Sequence, residues 1–474
     1  MTTKILVPVL YWIDENRWLL IAALVSVVLY FVPPPPGLSL VGWRVINIAA
    51  AVIILIVAEP LPLPAIALFI AIMQVLFGVG TPSHVASSFL SDAVLFIIGS
   101  LMLAVVIVHQ KLDRRLAYLI VQITGVKIER ITLGFVLVSA IMASFIGEHT
   151  VAAVMLPVAI SLIRFVEEEQ GKETSQGLAP LLLFAIAYGC AIGALGTPSG
   201  GARNAIMIDL WNRLYNEKMT YARWIMYAYP LGLLHLPFLI WILRRTFYPE
   251  HASLSRAIIR LRQKTSDQGS LGSQEYMTLG VFGVAFFLWI FFSDKIGLGV
   301  PALIAVFLAM ALRLVEWKHI NNGVNWGVVF IYASTISLGV AFNQTGAGGW
   351  VANQIELLFD MLGLHYQVVM IGVIALTTML FANLMGHGPA LALVGPVAFI
   401  IAENVGIDSI TAGFMTVAAS SYSYMTVIGS PAGNIVYSSG ELKTSDYLKA
   451  GVKMTIVSLI LIYVMRYTYW ALLN

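Results

Sequence analysis

Two stretches of this sequence share one plan: Gly147-Glu148-His149-Thr150-Val151-Ala152-Ala153-Val154-Met155-Leu156-Pro157 and Gly386-His387-Gly388-Pro389-Ala390-Leu391-Ala392-Leu393-Val394-Gly395-Pro396. Each begins with a polar, glycine-containing interruption of a long apolar run. A second apolar run follows each of them and is interrupted in turn, by Gly196-Thr197-Pro198 in the first half and by Gly429-Ser430-Pro431 in the second. Interrupted hydrophobic segments at corresponding positions of two halves are the best sequence indication of a transporter's binding site.

The composition is that of an integral membrane protein. Of the 474 residues, 59% are hydrophobic and 11% are charged, whereas a soluble domain is about one quarter charged. The apolar runs have the length of helical spans, about 20 residues, and they lack the alternation of barrel strands. Cys190 is the single cysteine, so no intrachain disulfide is possible. The net charge of +3 comes without a basic patch interleaved with aromatic residues, so no nucleic-acid partner is expected.

The spacing of the apolar runs predicts about eleven transmembrane helices and two re-entrant hairpins. The spans are expected near 17–33, 44–59, 64–80, 92–110, 178–208, 222–243, 276–293, 298–315, 325–342, 411–437 and 452–472. Two further runs, 131–165 and 367–402, are too long for one span and are broken at the polar triplets. Each therefore predicts a hairpin with its tip at membrane depth, where irregular backbone is tolerated only if protein or water covers it.

Basic loops predict the orientation in the membrane. The loop after the fourth span contains Lys111, Arg114, Arg115, Lys127 and Arg130, and the polar stretch 244–275 contains Arg256, Arg260, Arg262 and Lys264. The positive-inside rule places both in the cytoplasm, with a cytoplasmic N-terminus and an external C-terminus in the plasma (inner) membrane. We expect a first repeat at 1–243, a cytoplasmic join at 244–275 and a second repeat of inverted topology at 276–474.

Further motifs, in this order, resemble those of the divalent anion/sodium symporter (DASS) family. The resemblance covers nearly the whole chain and rests on Ala58-Glu59-Pro60-Leu61-Pro62, Leu112-Asp113-Arg114-Arg115-Leu116-Ala117, Leu133-Gly134-Phe135, Val154-Met155-Leu156-Pro157, and Gly429-Ser430-Pro431 with Asn434, Gly440 and Asp446-Tyr447-Leu448-Lys449-Ala450-Gly451. It implies an all-α polytopic membrane protein of two inverted repeats. It also implies a homodimer, in which each protomer has a scaffold domain and a transport domain that moves like an elevator. The activity it implies is transport of di- and tricarboxylates or sulfate, coupled to sodium, with anion exchange in some members.

The hairpin tips depart from the pattern of that family. Its tips carry Ser-Asn-Thr, whose side chains and backbone bind sodium and substrate. Here that triplet falls on Gly147-Glu148-His149 in the first hairpin and on Gly386-His387-Gly388 in the second. Every side chain of both triplets differs, so the chemistry of the site has to be argued from the residues that are present.

The predicted substrate site consists of the two tips and the two breaks. A dianion at membrane depth requires donors and positive helix ends, which half-helix N-termini supply, and glycine allows the backbone to approach a ligand closely. The predicted residues are Gly147, Glu148, His149, Thr150, Thr197, Pro198, Gly386, His387, Gly388, Ser430 and Pro431. Arg203 is either a further anion ligand with its bidentate fork or a side chain that snorkels from the outer half of its span.

Glu148 is the predicted centre of coupling, because a carboxylate at membrane depth is costly and is by default a functional hypothesis. Three roles stay open: an oxygen ligand for sodium, a proton carrier, or a structural acceptor for His149 or His387. The predicted cation-binding or coupling residues are Ser144, Glu148, Gly196, Asn204, Asn383, Gly429 and Asn434, with a sodium ion near Glu148 and Asn383. Beyond a coupling sodium ion or proton, we expect no cofactor.

The sequence thus favours secondary active transport of small divalent anions, di- or tricarboxylate-like, and predicts no enzymatic activity. A sulfate or sulfonate transporter, an anion exchanger and a passive anion channel are alternatives. A metal-dependent intramembrane enzyme built on Glu148 with His149 or His387 is a further alternative. Against that enzyme, the chain lacks the His-Glu-x-x-His spacing of zinc enzymes and offers no convincing nucleophile.

Overall fold

A computed structural model of the chain describes residues 16–112, 115, 127–170, 177–215, 218–247, 271–363 and 366–473. Within these ranges all regular secondary structure is helical, and ten helices are long and apolar enough to cross a membrane. Three shorter apolar helices accompany them, at Arg17–Phe31, Leu63–Leu76 and Gly299–Ala311. The predicted class, an all-α polytopic membrane protein, is confirmed.

The helices of the first half correspond to the predicted spans and the first hairpin. A 3-10 turn, Pro198–Gly200, interrupts the broken span. In chain order the helices are α1 (Arg17–Phe31), α2 (Leu40–Ala58), α3 (Leu63–Leu76), α4 (Pro82–Ser88), α5 (Asp92–His109), α6 (Ile128–Ile146), α7 (Glu148–Gln170), α8 (Leu178–Leu195), α9 (Ala202–Tyr215) and α10 (Tyr221–Phe247).

The second half continues in the same way, with the second hairpin and the second broken span in the expected order. Its helices are α11 (Ser273–Ile296), α12 (Gly299–Ala311), α13 (Trp317–Gly323), α14 (Trp326–Gln344), α15 (Ala347–Met361), α16 (Gln367–Met385), α17 (His387–Asn404), α18 (Ser409–Ser421), α19 (Pro431–Tyr437), α20 (Thr444–Tyr467) and α21 (Tyr469–Leu473).

Several details differ from the sequence-based expectation, and the short helices α4 and α13 lie between the expected spans. Helix α15 was not predicted, because it is amphipathic and buries only one small-residue face, so a search for apolar runs passes over it. Helix α20 begins at Thr444, earlier than the expected 452, because the Asp446 carboxylate accepts a hydrogen bond from the Lys443 N–H at 3.1 Å and caps a polar first turn. Most of the predicted join, 248–270, and the predicted loop residue Arg114 lie outside the described residues.

Each hairpin consists of two helices that meet at one glycine. Gly147 (φ 80°, ψ 154°) ends α6, and Gly386 (φ 83°, ψ 165°) ends α16. This region of backbone space is accessible essentially to glycine alone, so the glycine allows the chain to reverse without a loop. Pro157 and Pro396 then lie within the return helices α7 and α17. The tips are thus fixed by backbone geometry as well as by side chains.

The first broken span lies in the densest part of the interior. Helix α8 is almost entirely buried and packs along α6. The close approach of α8 to α6 depends on small residues, since a Cβ on Gly193 would lie 2.0 Å from the carbonyl oxygen of Ala140. Elsewhere a single carboxylate ties the two halves together: Asp92 accepts hydrogen bonds at 3.0 Å from the N–H groups of Leu298 and Gly299.

The tip geometry leads to a stability prediction. Replacing Gly386 with alanine should lower the free energy of unfolding by ~1–3 kcal/mol, because alanine has to adopt a strained conformation at positive φ. The check is the apparent melting temperature of the detergent-solubilised protein. Gly280→Ala is the matched control: a Cβ there meets nothing within 4 Å, and alanine favours helix. Equal melting temperatures for the two variants would contradict the strained tip.

Candidate substrate and cation site

A cleft of about 600 Å³, including its mouth, lies where the two hairpin tips meet the first break. Water-sized molecules can occupy about 60 Å³ of this space, so the cleft is narrow in this arrangement. Helix α5 and helix α14 form the opposite wall with largely apolar side chains, among them Phe96, Ile97, Leu101, Val328 and Tyr332. Among the described residues that line the cleft, the two that carry a full charge are Glu148 and Arg203.

Arg203 lies at the centre of a buried network that joins both halves of the chain. Its side chain is 2% exposed, and it points into the interior. Nη1 donates to Glu148 Oε1 at the first tip and, at 2.8 Å, to His387 Nδ1 at the second. Nε donates to Ser421 Oγ at 2.6 Å, and Nη2 to the Ala191 carbonyl at 3.2 Å. One guanidinium therefore connects two tips and two broken spans.

The hydrogen bonds of His387 define its tautomer. Ser423 Oγ donates its proton to the Gly429 carbonyl at 2.8 Å, so it can only accept from His387 Nε2, which lies 2.7 Å away. Nδ1 then carries the lone pair that accepts from Arg203. Glu148 Oε1 lies 3.2 Å from the same Nδ1. In that tautomer Arg203 Nη1 lies between two acceptors, Glu148 Oε1 and His387 Nδ1.

Only one of the two carboxylate oxygens of Glu148 has a hydrogen-bond partner within the described residues. Its side chain is 4% exposed, and Oε1 is bonded to Arg203, but Oε2 is buried without a hydrogen-bond partner among the described residues. A buried, unpaired carboxylate oxygen is costly. Such an atom in a native structure calls for an explanation, and a bound water or ion is one of the ordinary ones. The carboxylate thus has one oxygen committed to the network and one available for a cation.

Helix N-termini add positive potential to the cleft. Helix α7 begins at Glu148, α17 at His387 and α19 at Pro431, and all three of these residues line the cleft. Each N-terminus carries about half a positive charge, and those of α7 and α17 also present unpaired N–H groups. Glu148 is favourably placed at such an end, whereas Arg203 lies in the first turn of α9, where a cation is disfavoured. The Arg203 charge therefore depends on Glu148.

Each tip is locked to the break that follows it. The Ser144 carbonyl accepts a hydrogen bond from Thr197 Oγ1, and the Asn383 carbonyl accepts one from Thr426 Oγ1 at 2.6 Å. Each carbonyl lies three residues before its tip glycine. Ser430, the expected counterpart of Thr197, instead caps α19 by accepting from the Gly433 N–H at 2.8 Å. At this contact, Thr426 and not Ser430 is the counterpart of Thr197 in the second half.

The structure brings together part of the predicted substrate site. The residues that line the cleft are Gly147, Glu148, His149, Pro198, Arg203, His387 and Pro431. The others are not among its lining residues: Thr150, Thr197, Gly386, Gly388 and Ser430. Gly388 faces Tyr332 so closely that a Cβ would lie 1.9 Å from its ring. His149 lines the cleft, and its ring has no hydrogen-bond partner among the described residues.

The predicted cation residues are mostly engaged by backbone. Ser144 Oγ is within 2.9 Å of the Ala140 carbonyl and 2.8 Å of the Gly193 carbonyl. Asn383 donates to the Met379 carbonyl at 2.8 Å and accepts from the Met425 N–H at 2.9 Å. A cation at either residue would have to share these oxygens. Glu148 Oε2 is therefore the more available ligand.

The remaining predicted cation residues lie at the breaks, and they do not behave as a symmetric pair. Asn204 donates to the Ala194 and Thr197 carbonyls at 2.7 Å, and its Oδ1 has no partner among the described residues. Asn434 is exposed on α19. Gly196 lies against the ring of Tyr229. Gly429 accepts from Ser423 and donates to Thr426 Oγ1 at 3.1 Å.

Sequence reasoning missed the residues that hold Arg203 and His387 from the second break. Ser421 and Ser423 belong to the polar run Ser420-Ser421-Tyr422-Ser423-Tyr424, which precedes Gly429 inside an apolar span. That run was the available signal. Across the described ranges, no group of three histidine, cysteine, aspartate or glutamate side chains is arranged to hold a metal ion.

Two hairpins, two broken helices and a buried charged site between them define the architecture of a membrane transporter. The chain belongs to the family described as "Sodium:sulfate symporter transmembrane region", whose model matches residues 14–474. This confirms the resemblance to the divalent anion/sodium symporters that the motifs indicated.

Curated relatives agree with this assignment. An uncharacterized transporter of Haemophilus influenzae is 24% identical, with 89% of this chain and 90% of that protein covered. The sodium-dependent dicarboxylate transporter SdcS of Staphylococcus saprophyticus is 22% identical, with 96% and 92% covered. The sodium-dependent high-affinity dicarboxylate transporter 3 of Caenorhabditis elegans is 23% identical, with 88% and 81% covered.

A solved structure shares the fold. The YdaH transporter of Alcanivorax borkumensis, described as having an unusual topology, superposes with a TM-score of 0.53. The match covers 82% of this chain and 87% of that chain, with 10% sequence identity. At this identity the likeness concerns the fold alone.

The ion pair leads to a second stability prediction. Glu148→Gln should destabilise the protein by ~3–5 kcal/mol, because it leaves a buried guanidinium without its counterion. The double variant Glu148→Gln/Arg203→Met should recover much of that loss, since it removes both charges. Melting temperatures of the four proteins give the coupling energy. Lys449→Met, which removes an exposed lysine from its pair with Asp446, is the control, with an expected effect of about 0–1 kcal/mol. Strictly additive effects of the two site substitutions would refute the coupling.

Proposed function

We propose that this protein is a secondary active transporter of small divalent anions, dicarboxylates first, in which a coupling cation neutralises Glu148 and so frees Arg203 for the substrate. The observation that carries the proposal is the buried cluster of Glu148, Arg203 and His387, with Glu148 Oε2 unpaired. The names of the relatives from Staphylococcus saprophyticus and Caenorhabditis elegans support dicarboxylate as the substrate class and sodium as a coupling ion.

Arg203 is the proposed anion ligand. A guanidinium presents a planar fork that matches a carboxylate with two parallel hydrogen bonds. In the present arrangement Glu148 already occupies one of those donors, so it acts as a built-in anion that competes with the substrate. A second carboxylate brought beside an ionised Glu148 would be repelled strongly at this depth. Substrate binding is therefore expected to require the neutralisation of Glu148.

The coupling cation is proposed to bind at Glu148 Oε2, where sodium and a proton act in the same electrostatic sense. Either removes the negative charge that competes for Arg203. Linkage then makes the effect reciprocal: the cation raises the affinity for the anion, and the anion raises the affinity for the cation by the same factor. This reciprocity is the thermodynamic basis of symport. Exchange of anions without cation movement requires no such coupling.

The second carboxylate of a dianion is proposed to bind at helix ends. The N-termini of α7 and α17 converge on the cleft with their unpaired N–H groups. His149 adds a ring that is free to donate a hydrogen bond to the ligand. These donors select an anion by its charge and its length, and not otherwise by its shape. Sulfate and sulfonates are therefore the next substrates to test after dicarboxylates.

The wider mechanism follows from the family. We propose that the chain forms a homodimer in the plasma membrane, with its N-terminus in the cytoplasm, its C-terminus outside and two inverted repeats in each protomer. The matched tip glycines and the matched locks at Ser144 and Asn383 support the repeats. An elevator motion would carry both tips past α5 and α14, and the position of the cleft between these two sets of helices supports it.

The function is tested by uptake of labelled succinate into proteoliposomes. Three conditions are compared: an inward sodium gradient, an inward proton gradient at zero sodium, and no cation gradient. We expect uptake under one cation gradient that exceeds equilibration, because the cation has to neutralise Glu148. The same experiment with labelled sulfate separates substrate class from coupling. If neither anion moves under any gradient, the transport proposal fails.

Glu148→Gln should abolish the dependence on the coupling ion while downhill uptake of the anion persists, since glutamine mimics the neutralised state. The measurement is the ratio of uptake with and without the cation gradient. A ratio is insensitive to the fraction of protein lost through lower stability. Glu316→Gln, at an exposed glutamate, is the matched control and should keep the wild-type ratio. An unchanged ratio in Glu148→Gln would remove Glu148 from the coupling step.

A further inference from the structure

The segment Ser421–Tyr424 has two polar sides. It follows the end of α18, and its side chains alternate. Ser421 and Ser423 contact Arg203 and His387. Tyr422 and Tyr424 point the other way, with their rings stacked at 5.8 Å and 17° and both edge-on to His235. The segment leaves the regular helix here, with Tyr422 at φ −103° and ψ 42°. The segment therefore connects the charged cluster to a second buried cluster.

His235 is the centre of that second cluster. It lies in the middle of α10, is fully buried, and its ring is 4.6 Å from that of Tyr422. Ser458 Oγ on α20 donates to the Met454 carbonyl at 2.8 Å, so it accepts from His235 Nε2 at 3.1 Å. His235 Nδ1 therefore carries a lone pair. Within the described residues that lone pair has no donor.

Three more buried polar atoms in this cluster also have no partner in the described part of the chain: the hydroxyl oxygens of Tyr422, Tyr424 and Thr455. Tyr424 faces Ser458, and Thr455 lies one turn before Ser458 on the same face of α20. A native interior contains few unpaired polar atoms. The four side chains belong to one cluster, and one of their unpaired atoms accepts while three can donate, which indicates a site for a small polar ligand.

We propose that ordered water binds between His235, Tyr422, Tyr424 and Thr455, and that it positions the segment that presents Ser421 and Ser423 to the substrate cluster. Buried waters typically make about three hydrogen bonds to otherwise unsatisfied groups, and this set of atoms supplies that number. A cation is disfavoured, because the cluster contains no carboxylate and Arg203 lies on the other side of the segment. The two tyrosines and His235 are thus positioning residues.

The first test asks whether water is present, and it does not depend on the transport proposal. X-ray radiolysis of the purified full-length protein, read by mass spectrometry, labels buried side chains that touch bound water. Tyr422 and Tyr424 should be labelled several-fold faster than Tyr447, and the label should exchange slowly with ¹⁸O-water. Tyr447 is equally buried, but its hydroxyl donates to the Gly433 carbonyl at 2.6 Å. Labelling no faster than that of Tyr447 would overturn the water site.

The second test uses Tyr422→Phe and Tyr424→Phe, which keep the ring and remove the hydroxyl. If water binds there, each variant should lower the melting temperature, because it removes a hydrogen bond. If the site is dry, each variant should raise it, because an unsatisfied buried hydroxyl is lost. Tyr447→Phe should lower the melting temperature in either case and calibrates the assay. A rise in both site variants would overturn the proposal.

The third test concerns positioning, and it rests on the proposed function. Tyr422→Phe should raise the KM for succinate by up to about tenfold, which corresponds to ~1.4 kcal/mol, without changing which cation drives uptake. Labelled water together with an unchanged KM would refute the positioning role and leave the water site intact. Absence of uptake in the wild type would instead refute the proposed function, and the first two tests would still decide on the water.

Discussion

The buried contact between Arg203 and Glu148 is the interaction on which the site depends. Both side chains are at most 4% exposed, and neither charge is tolerable at this depth without the other. Arg203 lies at a helix start, where the dipole disfavours it, and Glu148 lies at one that favours it. Through this one pair, and through His387, the first tip, the second tip and both broken spans are held around one cleft.

Glycine geometry allows that contact to form. Gly147 and Gly386 end their helices with nearly the same positive φ, so each tip reverses without a loop and starts a new helix at the charged or ring-bearing residue that follows. The interior tolerates these breaks because backbone carbonyls near them are bonded by Thr197, Asn204 and Thr426. The polar backbone at membrane depth is therefore covered by protein, as the bilayer requires.

The family relation and the local chemistry address different levels of function. The match over residues 14–474 establishes a sodium:sulfate symporter family member, and relatives named as sodium-dependent dicarboxylate transporters are similar to it over most of their length. The tip triplets of this chain, however, carry a carboxylate and two imidazoles where the family pattern has Ser-Asn-Thr. In the proposed function, this titratable and self-compensated cluster is what holds the anion in the membrane. The composition of this cluster bears on the proposed coupling more directly than on the fold.

The sequence by itself determined the helical class, the order of the spans and the position of both hairpins, because hydropathy and glycine- or proline-containing breaks are local signals that the bilayer enforces. It also selected Glu148, His387 and Arg203 as unusual, since charge and imidazole are costly there. Only the tertiary structure decided that Arg203 pairs with Glu148, that Asn434 is exposed while Asn204 is buried, and that Ser421 and Ser423 complete the cluster. These facts depend on contacts between residues distant in the chain, and side-chain direction at a helix break follows from packing that no local pattern encodes.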